Sequence, residues 1–110
     1  MHALDILGDP VRRRILQLLA EKGEPAAGEI AEVIIDEFGI TQSAVSQQLK
    51  TLRDAGFASV AVDGTRRLYA LDVKPLQEVD SWLSPFRDFW SPKLDALATE
   101  VARGKHQRSK

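Results

Sequence analysis

The chain has 110 residues, 15 Lys and Arg against 16 Asp and Glu, two His and no Cys, for a formal net charge of −1. That length supports one compact domain; 44% hydrophobic with 28% charged residues excludes global disorder, and the absent thiols exclude disulfide scaffolds, thiolate metal sites and thiol catalysis. No apolar run nears the roughly 20 residues of a membrane span, and Met1 leads straight into a polar amphipathic segment, so a cytoplasmic protein without membrane contact is expected.

Leu4 and Leu7 fit one face of a short first helix. Asp9-Pro10 reads as the start of a second, because Asp caps well and Pro suits the first helical position. Val11, Ile15, Leu18 and Leu19 follow at helical spacing, and Gly23-Glu24-Pro25 ends the run. A third helix is predicted from about Ala27 to Glu37, with Ile30, Val33, Ile34 and Phe38 on its buried side and Gly39 closing it. Thr41 reads as the N-cap of a fourth, where Val45, Leu49 and Leu52 form an apolar stripe to about Ala55, ended by Gly56. The period then changes. Val60 and Val62, a turn at Asp63-Gly64, and Leu68, Tyr69 and Leu71 predict one β-hairpin. From Lys74 to Arg103 the pattern is helical again, and Ser84-Pro85 and Ser91-Pro92 predict kinks or a break. The fold class is mainly α with a small two-stranded hairpin, residues 1–102 forming one domain and residues 103–110 a basic tail expected to be disordered.

This order of elements is that of a winged helix-turn-helix. The fourth helix is the candidate recognition helix, and its non-core positions are Gln42, Ser43, Ser46, Gln47 and Lys50. Ser43, Ser46, Gln47 and Lys50 share one face opposite Val45, Leu49 and Leu52, and that face carries no acid. Gln can pair bidentately with adenine, Ser with base or phosphate, and Lys with guanine or phosphate, whereas a merely solvated face would usually mix in Glu and Asp. Arg66 and Arg67 sit just past the hairpin tip, where a wing meets phosphates or the minor groove; a charged edge against aggregation is the plainer reading. Tyr69 is open between hairpin packing and DNA contact. Arg12, Arg13 and Arg14 fit surface ion pairs with Asp5, Asp9 or Glu21 better than phosphate contacts.

The run "LGDPVRRRILQLLAEKGEPAAGEIAE" together with "GITQSAVSQQLKTLRDAGFASVAVDGTRRLYAL" resembles the ArsR/SmtB family of bacterial winged-helix transcription repressors, over about Leu4 to Leu71. The downstream "WLSPFRDFWSPKLDAL" is similar to a cysteine-free branch with an aromatic C-terminal helix. The resemblance implies a homodimer on a roughly palindromic operator of double-stranded DNA. By position, Gln42, Ser43, Ser46, Gln47 and Lys50 match the family's DNA-reading helix and Arg66 and Arg67 its wing, and the N-cap Thr41 is expected to contact DNA with them. Two departures stand out. Between Glu32 and Gly39 the chain carries about four extra residues, close to one helical turn, which keeps the apolar stripe in phase; and Gln48 stands where the family often has His and is expected to face sideways.

Metal-sensing members use Cys pairs on the third helix or Asp/His/Glu sets on the last. Here the third helix reads Glu29-Ile30-Ala31-Glu32, the last offers Glu78, Asp80 and Asp88 without His, and His2 and His106 lie near the termini. No metal and no cofactor are expected. Trp82, Phe86, Phe89 and Trp90 fall within nine residues and on more than one helix face. A dimer interface, assisted by Leu4 and Leu7, is the first reading, with core packing or a small-molecule pocket as alternatives. An enzyme finds no support, since no Ser/His/Asp set or Gly-rich phosphate loop is present. The competing reading is a protein-interaction module that binds a basic partner through the acidic third helix. Six acids lie between Glu21 and Glu37. If DNA is the partner, that segment must point away from the duplex.

Overall fold

The computed structural model describes residues 2–108, with side chains through Val101 apart from Asp95. In chain order the elements are α1 (His2–Ile6), α2 (Pro10–Lys22), α3 (Ala27–Phe38), α4 (Gln42–Asp54), β1 (Ala58–Asp63), β2 (Arg66–Leu71) and α5 (Lys74–Arg108). Two compact units emerge, one up to Val79 and one from Asp80. Among the described residues no helix is long and apolar enough to cross a membrane.

Local chemistry sets the boundaries. Asp9 caps α2 by accepting from the Val11 amide at 2.7 Å, with Pro10 at the first helical position. Gly39 closes α3 in the left-handed region at φ 66°, where a side chain would be strained, and its N–H reaches the Ile35 carbonyl at 2.9 Å. Two residues later Thr41 caps α4 by accepting from the Ala44 amide at 3.1 Å. The link between α3 and α4 is thus a tight turn with a defined cap on each side.

Ile15, Leu18, Leu19, Ile30, Ile34, Val45, Leu52 and Phe57 are the fully buried centre of the first unit. Each such burial contributes about 1.5–3 kcal/mol. Phe57, which helical periodicity could not flag because it lies between α4 and β1, is held by its amide on Leu52 O and its carbonyl on Asp72 N, both 2.9 Å. Leu76 and Val79 of α5 pack against this core.

Several expectations need correction. On α3 the core positions are Ile30, Ala31 and Ile34; Val33 is half-buried and Phe38 is exposed. The stripe is in phase, but the helix outruns the core beneath it. On α1 the buried residues are Ala3 and Ile6, with Leu4 and Leu7 half-buried beside them. The hairpin loop is Gly64-Thr65, since Asp63 pairs with Arg66 across the strands. Gly64 has φ 63° and Thr65 does not share a positive φ, the pattern of a type II′ turn. Neither Pro85 nor Pro92 breaks α5, which continues through both to Arg108. The side chains of the tail from Arg103 to Lys110, His106 included, lie outside the described residues.

Candidate nucleic-acid interface

α4 turns Val45, Leu49 and Leu52 into the core and leaves Gln42, Ser43, Ser46, Gln47 and Lys50 exposed on the other side. Their amides, hydroxyls and ammonium have no acid between them along that face. Thr41 stands at the head of the same helix; its oxygen is engaged as the cap, which leaves the hydroxyl proton free to donate.

The wing is fastened beside this helix rather than left as a loose loop. Tyr69 is buried, its amide donates to Pro25 O at 3.0 Å, and Leu68 bridges to Ala26. Tyr69 is therefore a packing residue. Arg67, two positions away on the same strand face, joins Ser46, Leu49, Lys50 and Arg53 around one groove. Arg53 was not singled out from the sequence, although Ser46, Lys50 and Arg53 follow at i, i+4 and i+7, a signal the spacing already contained. Asp54 lies at the edge, 3.8 Å from Lys50 Nζ and 3.9 Å from Arg53 Nε, as exposed pairs worth little.

Arg66 is placed differently from Arg67. Its Nη2 donates to Glu29 Oε1 at 3.0 Å, so the wing leans on the first turn of α3. The acidic segment therefore does not avoid the wing altogether, since Glu29 stands against it. Glu37 is taken up by Arg14 at 3.0 Å, and Arg14 also lies 3.8 Å from Glu21. Glu32 and Asp36 remain exposed.

The other two arginines of the trio are structural. Arg12 Nε donates to Ile6 O at 2.6 Å and Arg13 Nη1 to Leu7 O at 2.8 Å, satisfying carbonyls at the end of α1. Arg12 also lies 3.6 Å from Asp9. Gln48 is the other residue the sequence did not assign: it donates to Asp9 Oδ2 and accepts from Arg12 Nη1, both at 3.0 Å. Burial works against the Asp9 charge, but the Val11 and Arg12 amides, the Gln48 amide and the Arg12 guanidinium outweigh it and hold its carboxyl below the usual aspartate range.

The aromatic residues of α5 belong to the second unit. Trp82, Phe86 and Phe89 are exposed, Trp90 half-buried, and Leu94, Leu97 and Val101 continue the exposed apolar series. The Trp82 and Phe86 rings meet at a tilt of 44° with centroids 4.9 Å apart, and Lys93 Nζ sits 4.1 Å over the Phe89 ring. Among the described residues no group of three or more His, Cys, Asp or Glu is arranged to hold a metal ion.

Comparison with known proteins agrees with this geometry. Residues 7–61 match the model of a helix-turn-helix domain family. The HTH-type transcriptional regulator Rv2034 of Mycobacterium tuberculosis is 35% identical over 97 residues, covering 88% of this chain and 83% of that protein. Rv0081 of the same organism, an uncharacterised HTH-type transcriptional regulator, is 33% identical over 73 residues, a match that spans 60% of its length. Among solved structures, the homodimeric winged helix-turn-helix DNA-binding domain of Mb0332 from Mycobacterium bovis, described as a possible ArsR-family regulator, superposes with a TM-score of 0.59 at 25% identity, over 79% of this chain and 76% of that one. The chain belongs to the ArsR family of winged helix-turn-helix transcriptional regulators.

Proposed function

We propose that the protein is a homodimeric, sequence-specific DNA-binding repressor. The observation that carries this reading is the exposed face of α4 from Gln42 to Lys50, which holds no acid and runs into the groove formed by Lys50, Arg53 and Arg67. Gln42, Ser43, Ser46 and Gln47 would enter the major groove and read base edges, with Thr41 donating to a flanking phosphate. Lys50, Arg53 and Arg67 would hold the backbone, and Arg66 would join them when it leaves Glu29. Reading helices in a dimer meet half-sites one helical turn, or a multiple of it, apart. Occupancy of such a site in a promoter blocks transcription from the cytoplasmic chromosome.

The dimer reading rests on α5. A Pro in a helix interior costs about 3 kcal/mol, and α5 contains Pro85 and Pro92. Helical propensity alone does not sustain such a segment; burial of its apolar side does. Trp82, Phe86 and Phe89 are exposed among the described residues, which makes a second copy the natural partner, with half-buried Leu4 and Leu7 assisting. The M. bovis domain, described as homodimeric, supports the same assembly. The test is recovery of genomic fragments on the purified protein, followed by gel shifts and promoter-fusion assays with the recovered sequence. Failure to enrich any fragment over random DNA would sink the reading, and a promoter that becomes more active would replace repressor by activator.

A further inference from the structure

Gln48 lies on the flank of α4, half-buried, and both ends of its carboxamide are used. One end donates to Asp9, which is already the N-cap of α2, and the other accepts from Arg12. Arg12 spends the rest of its guanidinium on α1, with Nε on the Ile6 carbonyl at 2.6 Å and Nη2 within 3.5 Å of the Asp5 carbonyl. Three side chains thereby join the end of α1, the first turn of α2 and the middle of α4. The remaining anchors of α4 in the core, Val45, Leu49 and Leu52, are apolar. Apolar contact is non-directional and tolerates small rotations of a helix about its axis, whereas a donor and an acceptor held at fixed positions do not.

We infer that Asp9, Arg12 and Gln48 form a positioning relay through which α1 sets the orientation of the DNA-reading helix, so that the docking of α1 and the affinity for operator DNA are linked. The inference rests on the DNA-binding reading and adds to it a point of control. A displacement of α1 moves the Asp5 and Ile6 carbonyls, which redirects Arg12 and then Gln48, two residues from Ser46 and one from Gln47. Linkage makes the coupling reciprocal: operator bound on α4 must tighten α1 as much as docked α1 tightens operator binding. None of the three residues is assigned a DNA contact.

The test uses the full chain and Gln48→Met, which keeps side-chain length and removes both polar atoms while leaving the Asp9 cap on Val11 in place. Anisotropy titrations compare the operator recovered from genomic fragments with a scrambled duplex, and hydrogen exchange follows residues 3–8 with and without operator. Wild-type protein should show slower exchange over residues 3–8 when operator binds. Gln48→Met should bind operator about five- to ten-fold more weakly, keep its affinity and salt slope on scrambled DNA, and lose the exchange response. Should Gln48→Met melt below the assay temperature, Arg12→Lys, which keeps the charge but cannot hold all three partners, carries the same comparison and should give a partial loss. The relay is overturned if the variant discriminates operator as the wild type does, or if residues 3–8 respond to operator equally in both. Wild-type protein that prefers no fragment over scrambled DNA refutes the DNA-binding reading itself, and does so before any variant is made.

Discussion

Arg67→Ala is the substitution for which the geometry yields a number. Arg67 lines the groove beside Lys50 and Arg53, and among the described residues it forms no ion pair, so its guanidinium is available to a phosphate. Each phosphate contact adds about 0.9 to the slope of log K against log salt, and a dimer has two copies, so the substitution should flatten the slope by about 1.8. Between about 50 and 200 mM salt that difference amounts to about tenfold in affinity, equal for operator and scrambled DNA. Arg66→Ala should do less, because its guanidinium stands 3.0 Å from Glu29 and must give up that partner to reach DNA. The pair is exposed and worth only about 0–1 kcal/mol, so Glu29→Gln should release Arg66, tighten binding to every sequence and steepen the slope. Anisotropy titrations across a salt series read all three variants. An unchanged slope in Arg67→Ala would refute the assignment, as would Arg66→Ala flattening it equally while Glu29→Gln changes nothing.

Gln47→Ala should cost about 1–3 kcal/mol on operator DNA and little on scrambled DNA, because it removes a base-edge contact and no charge; equal loss on both would move Gln47 to the backbone. Phe86→Glu puts a charge into the exposed apolar series of α5 and should yield monomers in sedimentation equilibrium, and an intact dimer would shift the interface elsewhere. Asp9 is held below its ordinary value of 3.8, so its contribution to stability is present above that pH and fades as pH falls through the lower folded value. Urea melts of Asp9→Ala should therefore show a loss of about 1 kcal/mol at neutral pH and a flatter decline on the acid side than wild type. Titration calorimetry with zinc should detect no stoichiometric site tighter than about micromolar.

Much of this was legible in the sequence, because the decisive signals are local. Asp9-Pro10 and Thr41 carry their caps within three residues, and the apolar stripes of α2 and α4 repeat at helical spacing over three turns. What escaped was of two kinds. Some features depend on where a neighbouring element stops: Phe38 keeps the phase of Ile30 and Ile34 but extends past the core, and on the five-residue α1 a small change of phase exchanges Leu4 for Ala3. Others are contacts between residues distant in the chain. Arg66 and Glu29 are 37 positions apart, Gln48 and Asp9 39, and no periodicity reports such a pairing. The prolines of α5 form a third case. Pro85 and Pro92 each forfeit one amide donor, yet α5 runs through both, because the pattern that predicts a break does not report what else holds the helix.

A chain with a formal charge of −1 is an unpromising ligand for a polyanion until its charges are sorted by what they touch. Arg12, Arg13 and Arg14 are spent on carbonyls and on Asp9, Glu21 and Glu37, and Arg66 is held by Glu29. These four arginines thus neutralise the protein's own acids and helix ends. Lys50, Arg53 and Arg67 remain together on one groove, with Asp54 beside the two helix residues and Glu29 and Glu32 across a second cavity from Arg67. Such an arrangement supplies few phosphate contacts per half-site, and a small electrostatic contribution gives weak binding to random DNA. On the proposed reading, the uncharged Gln and Ser side chains of α4 would then provide most of the preference for operator over background. Their hydrogen bonds form only when α4 lies at the correct angle in the groove, because a base edge offers donors and acceptors at fixed positions. On that reading, orientation of one helix rather than total charge is what the fold has to secure, and the hydrogen bonds of Gln48 to Asp9 and Arg12 are the directional contacts proposed to secure it.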